Sequence, residues 1–557
     1  MKPLSLTFRL LSLITLILSP TCNAVSEETP AKREPRHAPL LSGLGELHHP
    51  VTTTSPRAQR YFNQGLALSF AFNHREAIRS FEAAAQIDPQ CAMAFWGVAL
   101  ASGPHVNRPM NEEDNTRAWK ALQQALALKP KVSPREQAYI DALAPRYQAA
   151  HVEDRAHLDL AFANAMRRLA RQYPDDPDAL TLFAEALMDT MPWAYWTDQH
   201  HPKPETQEVF DTLQAVLSRH PDHPGANHLY IHAVEAGPQP ELGLPAADRL
   251  ARGITHAGHL VHMPSHIYMR VGQYTDAVTA NERAVKADRD YIRQCRAQGF
   301  YVGAYYPHNM HFLWWAQLFE GRSADSLKSA RRVARFAVDS VCGPSPAVEA
   351  PRLRHLPWLT QARFGQWDAL LRESQPAATN DFLVDRALWH FTRGLALLAK
   401  NQPDAAAIEH QALTALAQSP DAKALDNPAF PASATLKVAD LWLAGRLAGA
   451  RGDHTRQIEL LQAAVHAEDT LPYMEPTFWP IPIRPALGRA LLEAGQPERA
   501  EQVFRDDLQR WPRNAWGLLG LQTALRRQNK TAAADLVQRE FEQAWQRADT
   551  QLVLAWF

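Results

Sequence analysis

Apolar positions recur every three or four residues through most of the chain, with Gly or Pro at the breaks, so the pattern predicts short amphipathic helices joined by tight turns. No run alternates with period two, and essentially no β-structure is expected. The helical pattern also repeats. In 58–89, Tyr61, Gly65, Ala77, Phe81, Ala84 and Pro89 fall at positions 4, 8, 20, 24, 27 and 32 of one unit. Near the other end, Gly488, Leu491, Gly495, Ala500, Phe504 and Pro512 take positions 8, 11, 15, 20, 24 and 32 of a unit starting at Ile481. Small residues at 8 and 20 let two helices approach, and large apolar ones fill the space between successive hairpins.

Degenerate units begin near Ala92, Gly258 and Pro307, with Gly272 and Gly321 at the turn position. The unit at Ala92 carries an insertion containing "GPHVNRP", because Ala118 rather than Asn111 takes position 20. The fold class expected is all-α, a helical-repeat solenoid. An array over 51–340 and a second over 352–557 flank a break at 341–351, "VCGPSPAVEAP", and "SPDAKALDNPAFPASA" reads as another long loop.

These registers resemble tetratricopeptide proteins over most of the chain. The blocks "GPHVN", "HMPSHIYMRVGQY" and "EPTFWPIPIR" further resemble an exported bacterial tetratricopeptide group. The resemblance implies a right-handed superhelix whose first helices line a concave groove through repeat positions 2, 5, 9 and 12. It also implies a binding scaffold for a protein or peptide partner.

The segment 255–274 bears directly on that groove. At about 100° per residue, with His259 at 0°, His262 falls near −60°, His266 near −20° and Met269 near −80°. The apolar Leu260, Val261, Ile267 and Val271 lie roughly opposite. In the unit from Gly258 the three histidines and Met269 occupy positions 2, 5, 9 and 12, which the resemblance assigns to the groove. In "PGANHLYIHAVEAG", His228, His232 and Glu235 share another face, and in "YYPHNMHFLWW" His308 and His311 take positions 2 and 5 of their unit. Three neighbouring helices thus offer seven imidazoles and a carboxylate to one place. His105, Met269 and Trp315 are further candidates for lining the groove.

Neutral imidazole is the commonest protein metal ligand. The eight residues His228, His232, Glu235, His259, His262, His266, His308 and His311 are therefore a candidate site for one transition-metal ion or a pair, with Glu235 as ligand, base or orienting group. Copper and zinc are the first candidates, the thioether of Met263 or Met269 favouring copper. Two other readings of the stripe stand beside this one: a groove that binds an anionic or aromatic ligand through imidazole hydrogen bonds, and structural packing. Glu185 and Asp189, four apart, and the aromatic run after them read as packing, and Glu475, Trp479 and Arg484 as a rigid Pro-rich corner. His48, His49, His200, His201, His220 and His223 read as loop histidines without a role.

Composition narrows the partners. A net charge of −1 over 557 residues, with acidic and basic residues well mixed, argues against a nucleic-acid partner. Lys2 and Arg9, the apolar run "LLSLITLIL", and Cys22 and Ala24 at −3 and −1 form a signal-peptide pattern over 1–24, so an exported, periplasmic or extracellular protein is expected, with no membrane span after cleavage. Residues 25–50 read as a flexible lead-in. The remaining Cys91, Cys295 and Cys342 form neither a disulfide framework nor a CxxC motif, although one bridge can form in an oxidising compartment. No HExxH, GxSxG, phosphate-loop or GxGxxG signature is present, so a catalytic reading, a metal-dependent hydrolase or oxidase, rests on the histidines alone.

Overall fold

Phe81 and Phe504 set the geometry of the repeat. A Cβ added at Gly65 or Gly97 would stand 2.6 or 2.4 Å from the Phe81 ring, and one added at Gly488 or Gly520 would stand 2.4 or 2.0 Å from that of Phe504. Each ring, fully buried, thus wedges between a glycine of its own unit and one of the next. The computed structural model describes residues 38–197, 201–339, 353–378, 382–427 and 430–557, which fall in one compact unit, Pro35–Phe557. The expected signal segment 1–24, the lead-in to residue 37, the break at 341–351, Cys342 and His200 lie outside the described residues.

The fold is an all-α tetratricopeptide-like solenoid. Helical hairpins follow one another, among them Pro56–Phe70 with His74–Ile87, Ala92–Ala101 with Glu112–Leu128, Tyr306–Glu320 with Ser323–Asp339, and Arg484–Glu493 with Pro497–Arg510. Gly272, Gly321 and Gly495 take left-handed φ of 77°, 83° and 73° at the turns the sequence assigned to them. Among the described residues no strand forms, only isolated bridges such as His105 with Arg108, and no helix is long and apolar enough to cross a membrane. Cys91 is buried and free, and Cys295 is buried.

Residues 38–50, expected as part of a flexible lead-in, are laid against the first hairpin. The Ala38 carbonyl accepts from Tyr61 Oη at 2.9 Å, the Leu41 amide donates to Gln64, and Ala38, Leu44 and His49 are buried. Polar side chains of the first helix satisfy this extended backbone, which helical periodicity does not reveal.

The C-terminal repeats close over the middle of the chain. A Cβ at Gly272 would lie 2.2 Å from the Pro512 carbonyl oxygen, which accepts from Tyr274 Oη at 2.9 Å. The Trp315 and Trp511 rings meet edge-on at 5.6 Å, and the Asp549 carboxylate accepts from the first amides of the Ser323–Asp339 helix. A Pro-rich strap, residues 471–480, lies between the two halves. On one side is a cavity of about 630 Å³ lined in part by Arg270, Tyr473 and Trp511, and on the other one of about 170 Å³ that reaches His308.

The Phe81 wedge makes a thermodynamic prediction. Gly97→Ala lowers the urea midpoint, overpacking costing about 1–3 kcal/mol, whereas Gly253→Ala, whose methyl meets nothing within 4 Å, raises stability by up to about 1 kcal/mol. Equal midpoints for the two variants would reject this account of the repeat.

Candidate metal centre

The helix Pro224–Val234 begins at a clamp. His223 caps it, Nδ1 accepting from the Ala226 amide at 3.0 Å, while its Nε2 and His49 Nδ1 approach the two oxygens of buried Asp178 at 3.1 and 2.7 Å. Fixed in this way, the helix presents His228 and His232 one turn apart and Glu235 at its C-cap. Gly258–His262 and Pro264–Arg270 follow as two short helices that carry His259, His262 and His266. Their start needs a glycine: a Cβ at Gly258 would lie 1.8 Å from Asp288 Oδ1, which accepts from Tyr301 Oη at 2.8 Å, and Tyr301 Oη in turn accepts from the His259 amide. A π-turn, Tyr301–Tyr305, leads into the helix that carries His308.

Six imidazoles meet as two triads. The nitrogens of His228, His232 and His259 lie within 4.8 Å of one another, as do those of His262, His266 and His308. His228 Nε2 is 3.1 Å from His259 Nε2, and His262 Nε2 is 2.8 Å from His266 Nε2 and 3.1 Å from His308 Nε2. Glu235 joins the triads: Oε1 accepts from His232 Nδ1 at 2.7 Å, and Oε2 lies 2.5 Å from His266 Nδ1, an ion pair without linear alignment. Glu475, brought in by the strap, places Oε2 3.1 Å from the same Nδ1.

The tautomers follow from the acceptors. His228 Nδ1 faces the Phe70 carbonyl at 2.7 Å, and His262 Nδ1 faces Asn281 Oδ1 at 2.7 Å, with the Asn281 amide turned away to donate to the Ala277 carbonyl. His266 Nδ1 faces two carboxylates. Each of these Nδ1 atoms therefore carries its proton, so His228 and His262, when neutral, aim Nε2 lone pairs inward. Lone pairs of His262 and His266 at 2.8 Å repel unless a positive centre, a proton or a metal ion, lies between them. Histidine metal ligands have this arrangement, Nδ1 held by an acceptor and Nε2 turned to the ion.

The electrostatics agree. Burial and the neighbouring imidazoles hold His228, His259, His262 and His308 well below the ordinary histidine value. His266 runs the other way: burial opposes its charge, but Glu235 and Glu475 outweigh that and raise it to about 10. Glu235 is buried as well, yet His266 and His232 hold it below the usual carboxylate range.

Two aromatic rings enclose the first triad. Phe72 lies with its ring centroid 4.5 Å from that of His228 and 5.6 Å from that of His259, and Trp193 stands edge-on to His232 at 5.3 Å. Both have left-handed backbone, φ 53° and 60°, a conformation that costs a non-glycine residue about 1–3 kcal/mol. Trp193 Nε1 donates to Asn107 Oδ1 at 3.1 Å, and Asn107 donates to Tyr305 Oη at 3.0 Å, so the inserted "GPHVNRP" loop roofs the triad.

The structure thus brings together His228, His232, Glu235, His259, His262, His266 and His308, in a buried cluster rather than along an open groove, because the strap and the last repeats cover it. His311 stands apart, stacked on Trp314 at 5.3 Å. Trp315 and Met269 are fully buried, Trp315 one ring behind the cluster against Phe312. His105 stacks on His74 at 4.2 Å and reaches the first triad only through Phe72. Glu185 and Asp189 belong to a separate buried network with Arg146. Glu475, Phe72, Asn281, His49 and His223 are the contributors that sequence reasoning missed or left without a role in the site. The one signal available was His223, placed just before a Pro-initiated helix as an N-cap.

A family model described as tetratricopeptide repeat matches residues 58–91. No curated protein matches the chain. Among solved structures, the human IFIT1 dimer with m7Gppp-AAAA is 10% identical, with 89% of this chain and 91% of that chain covered and a TM-score of 0.30. The Cut9–Hcn1 hetero-tetramer of the APC/C is 13% identical, covering 84% and 76% at a TM-score of 0.29. The P58(IPK) TPR domain is 12% identical, covering 85% and 99% at 0.23.

Buried neutral histidines make folding pH-dependent. Besides the four above, burial pushes His105 well below its ordinary value and His74 and His311 down to about 3. The unfolded chain protonates all seven below about pH 6.5, while the folded chain resists. Their stabilisation is present above pH 6.5 and is lost as pH falls, by up to about 1.4 kcal/mol per pH unit for each. His266 contributes the opposite way, its stabilisation being present below pH 6.5 and lost as pH rises through about 10. Urea midpoints of the metal-free protein at about pH 7.5 and about pH 5 measure the net effect, and an unchanged midpoint would contradict neutral burial.

Proposed function

We propose that the protein is an exported helical-repeat scaffold that holds transition-metal ions at its two histidine triads, one ion in each, copper or zinc, and serves a protein or peptide partner. The observation that carries the metal reading is the set of Nε2 atoms facing one another at 2.8–3.1 Å while Nδ1 of His228 and of His262 faces an acceptor and that of His266 faces two carboxylates. All-imidazole donors suit copper and zinc. Glu235, with one oxygen on each of two imidazoles, orients both triads and is not free to act as a base. The tetratricopeptide repeat supports the partner, because such arrays are binding scaffolds. The pattern over 1–24 supports export.

Three protein ligands per ion leave a fourth position open, as in catalytic rather than structural zinc sites. That feature favours a second reading, a metal-dependent hydrolase or oxidase on the same cluster.

Elemental analysis of the protein recovered from the periplasm, without an affinity His-tag, tests the metal reading. Two equivalents are expected, one lost in His262→Gln/His266→Gln and the other in His228→Gln/His232→Gln. Glu235→Gln weakens both sites, by about 10–100-fold in affinity. A chain with its helical content intact that carries no copper or zinc, and takes up neither on reconstitution, sinks the proposal. The mass of the same sample tests export: it should correspond to a chain starting at Val25, and a full-length chain retained in the cytoplasm rejects it.

A further inference from the structure

The cavity of about 170 Å³ beside His308 has the makings of a ligand site in its own right. Much of its wall is apolar, with Leu353, Leu356, Phe430, Met474 and Phe478 around it, and the Phe430 and Phe478 rings meet edge-on at 5.9 Å. The polar side is made by His308, His311, His355, Glu475 and Thr477, and no Arg or Lys is among the lining residues. An apolar hollow with a few convergent polar groups is the usual form of a small-molecule site.

His355 defines what those groups ask of a ligand. Its Nδ1 lies 2.8 Å from Asp385 Oδ1, which also accepts from the His355 amide at 3.2 Å, and both side chains are buried. Nδ1 therefore carries the ring proton and Nε2 is left as an acceptor. A ligand here must supply a donor. Without a lysine or arginine, and with the Glu475 carboxylate in the lining, nothing offers an anion its countercharge. Size sets the remaining limit, since an apolar hole of about 150 Å³ holds one benzene ring.

We propose that this cavity binds a small neutral phenol, its ring against Phe430 and Phe478 and its hydroxyl donating to His355 Nε2, in a hollow whose wall includes His308 of the second triad. The site stands on the cavity and on the Asp385–His355 pair, and needs no ion in the cluster. It is therefore tested on chelator-treated full-length protein, and its failure is separate from failure of the metal reading.

The probe is 4-fluorophenol, titrated and followed by fluorine NMR. Saturable binding with a Kd of about 1 mM or tighter is expected for so small a ligand. His355→Phe, which removes the acceptor, weakens it roughly tenfold, and Met474→Trp, at the partly exposed rim, blocks the hollow and abolishes it. Circular dichroism checks the fold of each variant, and Met474→Trp stands alone if His355→Phe does not fold. No saturation by about 10 mM overturns the proposal. Equal binding of fluorobenzene, or tighter binding of 4-fluorobenzoate or 4-fluorobenzylammonium, overturns it as well, because the hydroxyl and the neutrality are then irrelevant.

Discussion

The arrangement at the centre of the molecule depends on one carboxylate. Glu235 is buried at the end of the helix that carries His228 and His232, and its oxygens hold His232 of one triad and His266 of the other. A carboxylate removed from water is costly unless paired and hydrogen-bonded. The Glu235 partners meet that cost and at the same time fix which nitrogen of each ring faces inward. Its backbone is held too, the carbonyl accepting from the Arg270 guanidinium, which also reaches the Gly237 carbonyl at 3.2 Å. Loss of this side chain would free the His232 imidazole and leave His266 with Glu475 alone.

The rest of the cluster conflicts with what makes a good core. Six imidazoles packed against one another out of water are a local contradiction, and consistent sequences carry such contradictions at functional sites. Phe72 and Trp193 add strained backbone on either side of the first triad. The Gly272 approach to Pro512 and the packing of Trp315 on Trp511 hold the C-terminal repeats over it. Closure excludes water, and exclusion gives each charge in the site its strength. The solenoid thus works here as a shell, where an open array would leave its first helices wet.

What could be read from the sequence divides along the same line. Gly65, Phe81, Gly488 and Phe504 are legible because a wedge between glycines repeats at fixed spacing. His259, His262 and His266 are legible because helical spacing puts them on one side whatever the helix packs against. Glu475 is not, since it sits in a Pro-rich strap without periodicity and meets His266 only through closure of the chain. Phe72 reads as a turn residue, and only its left-handed φ aims the ring at His228. His49 and His223 read as loop histidines because a shared carboxylate, Asp178, leaves no trace in spacing. His311 lies on a helix that is apolar nearly all round, so spacing does not fix the direction of its ring, which stacks on Trp314.

Charge bounds what the cluster can hold. Within reach of the triads stand two carboxylates, Glu235 and Glu475, and six imidazoles that ligate as neutral groups. With both carboxylates ionised, two singly charged ions would be neutralised where they sit. Two doubly charged ions would leave two positive charges in a buried site, where uncompensated charge is strongly disfavoured. Those charges would need anions from outside, and the path to the second triad runs past His308, which is less buried than His262 and His266. The first triad, between Phe72 and Trp193, has Glu235 as its shared carboxylate, while the second has Glu475 as well. The two triads therefore differ in the charge they tolerate, although their ligand sets are the same.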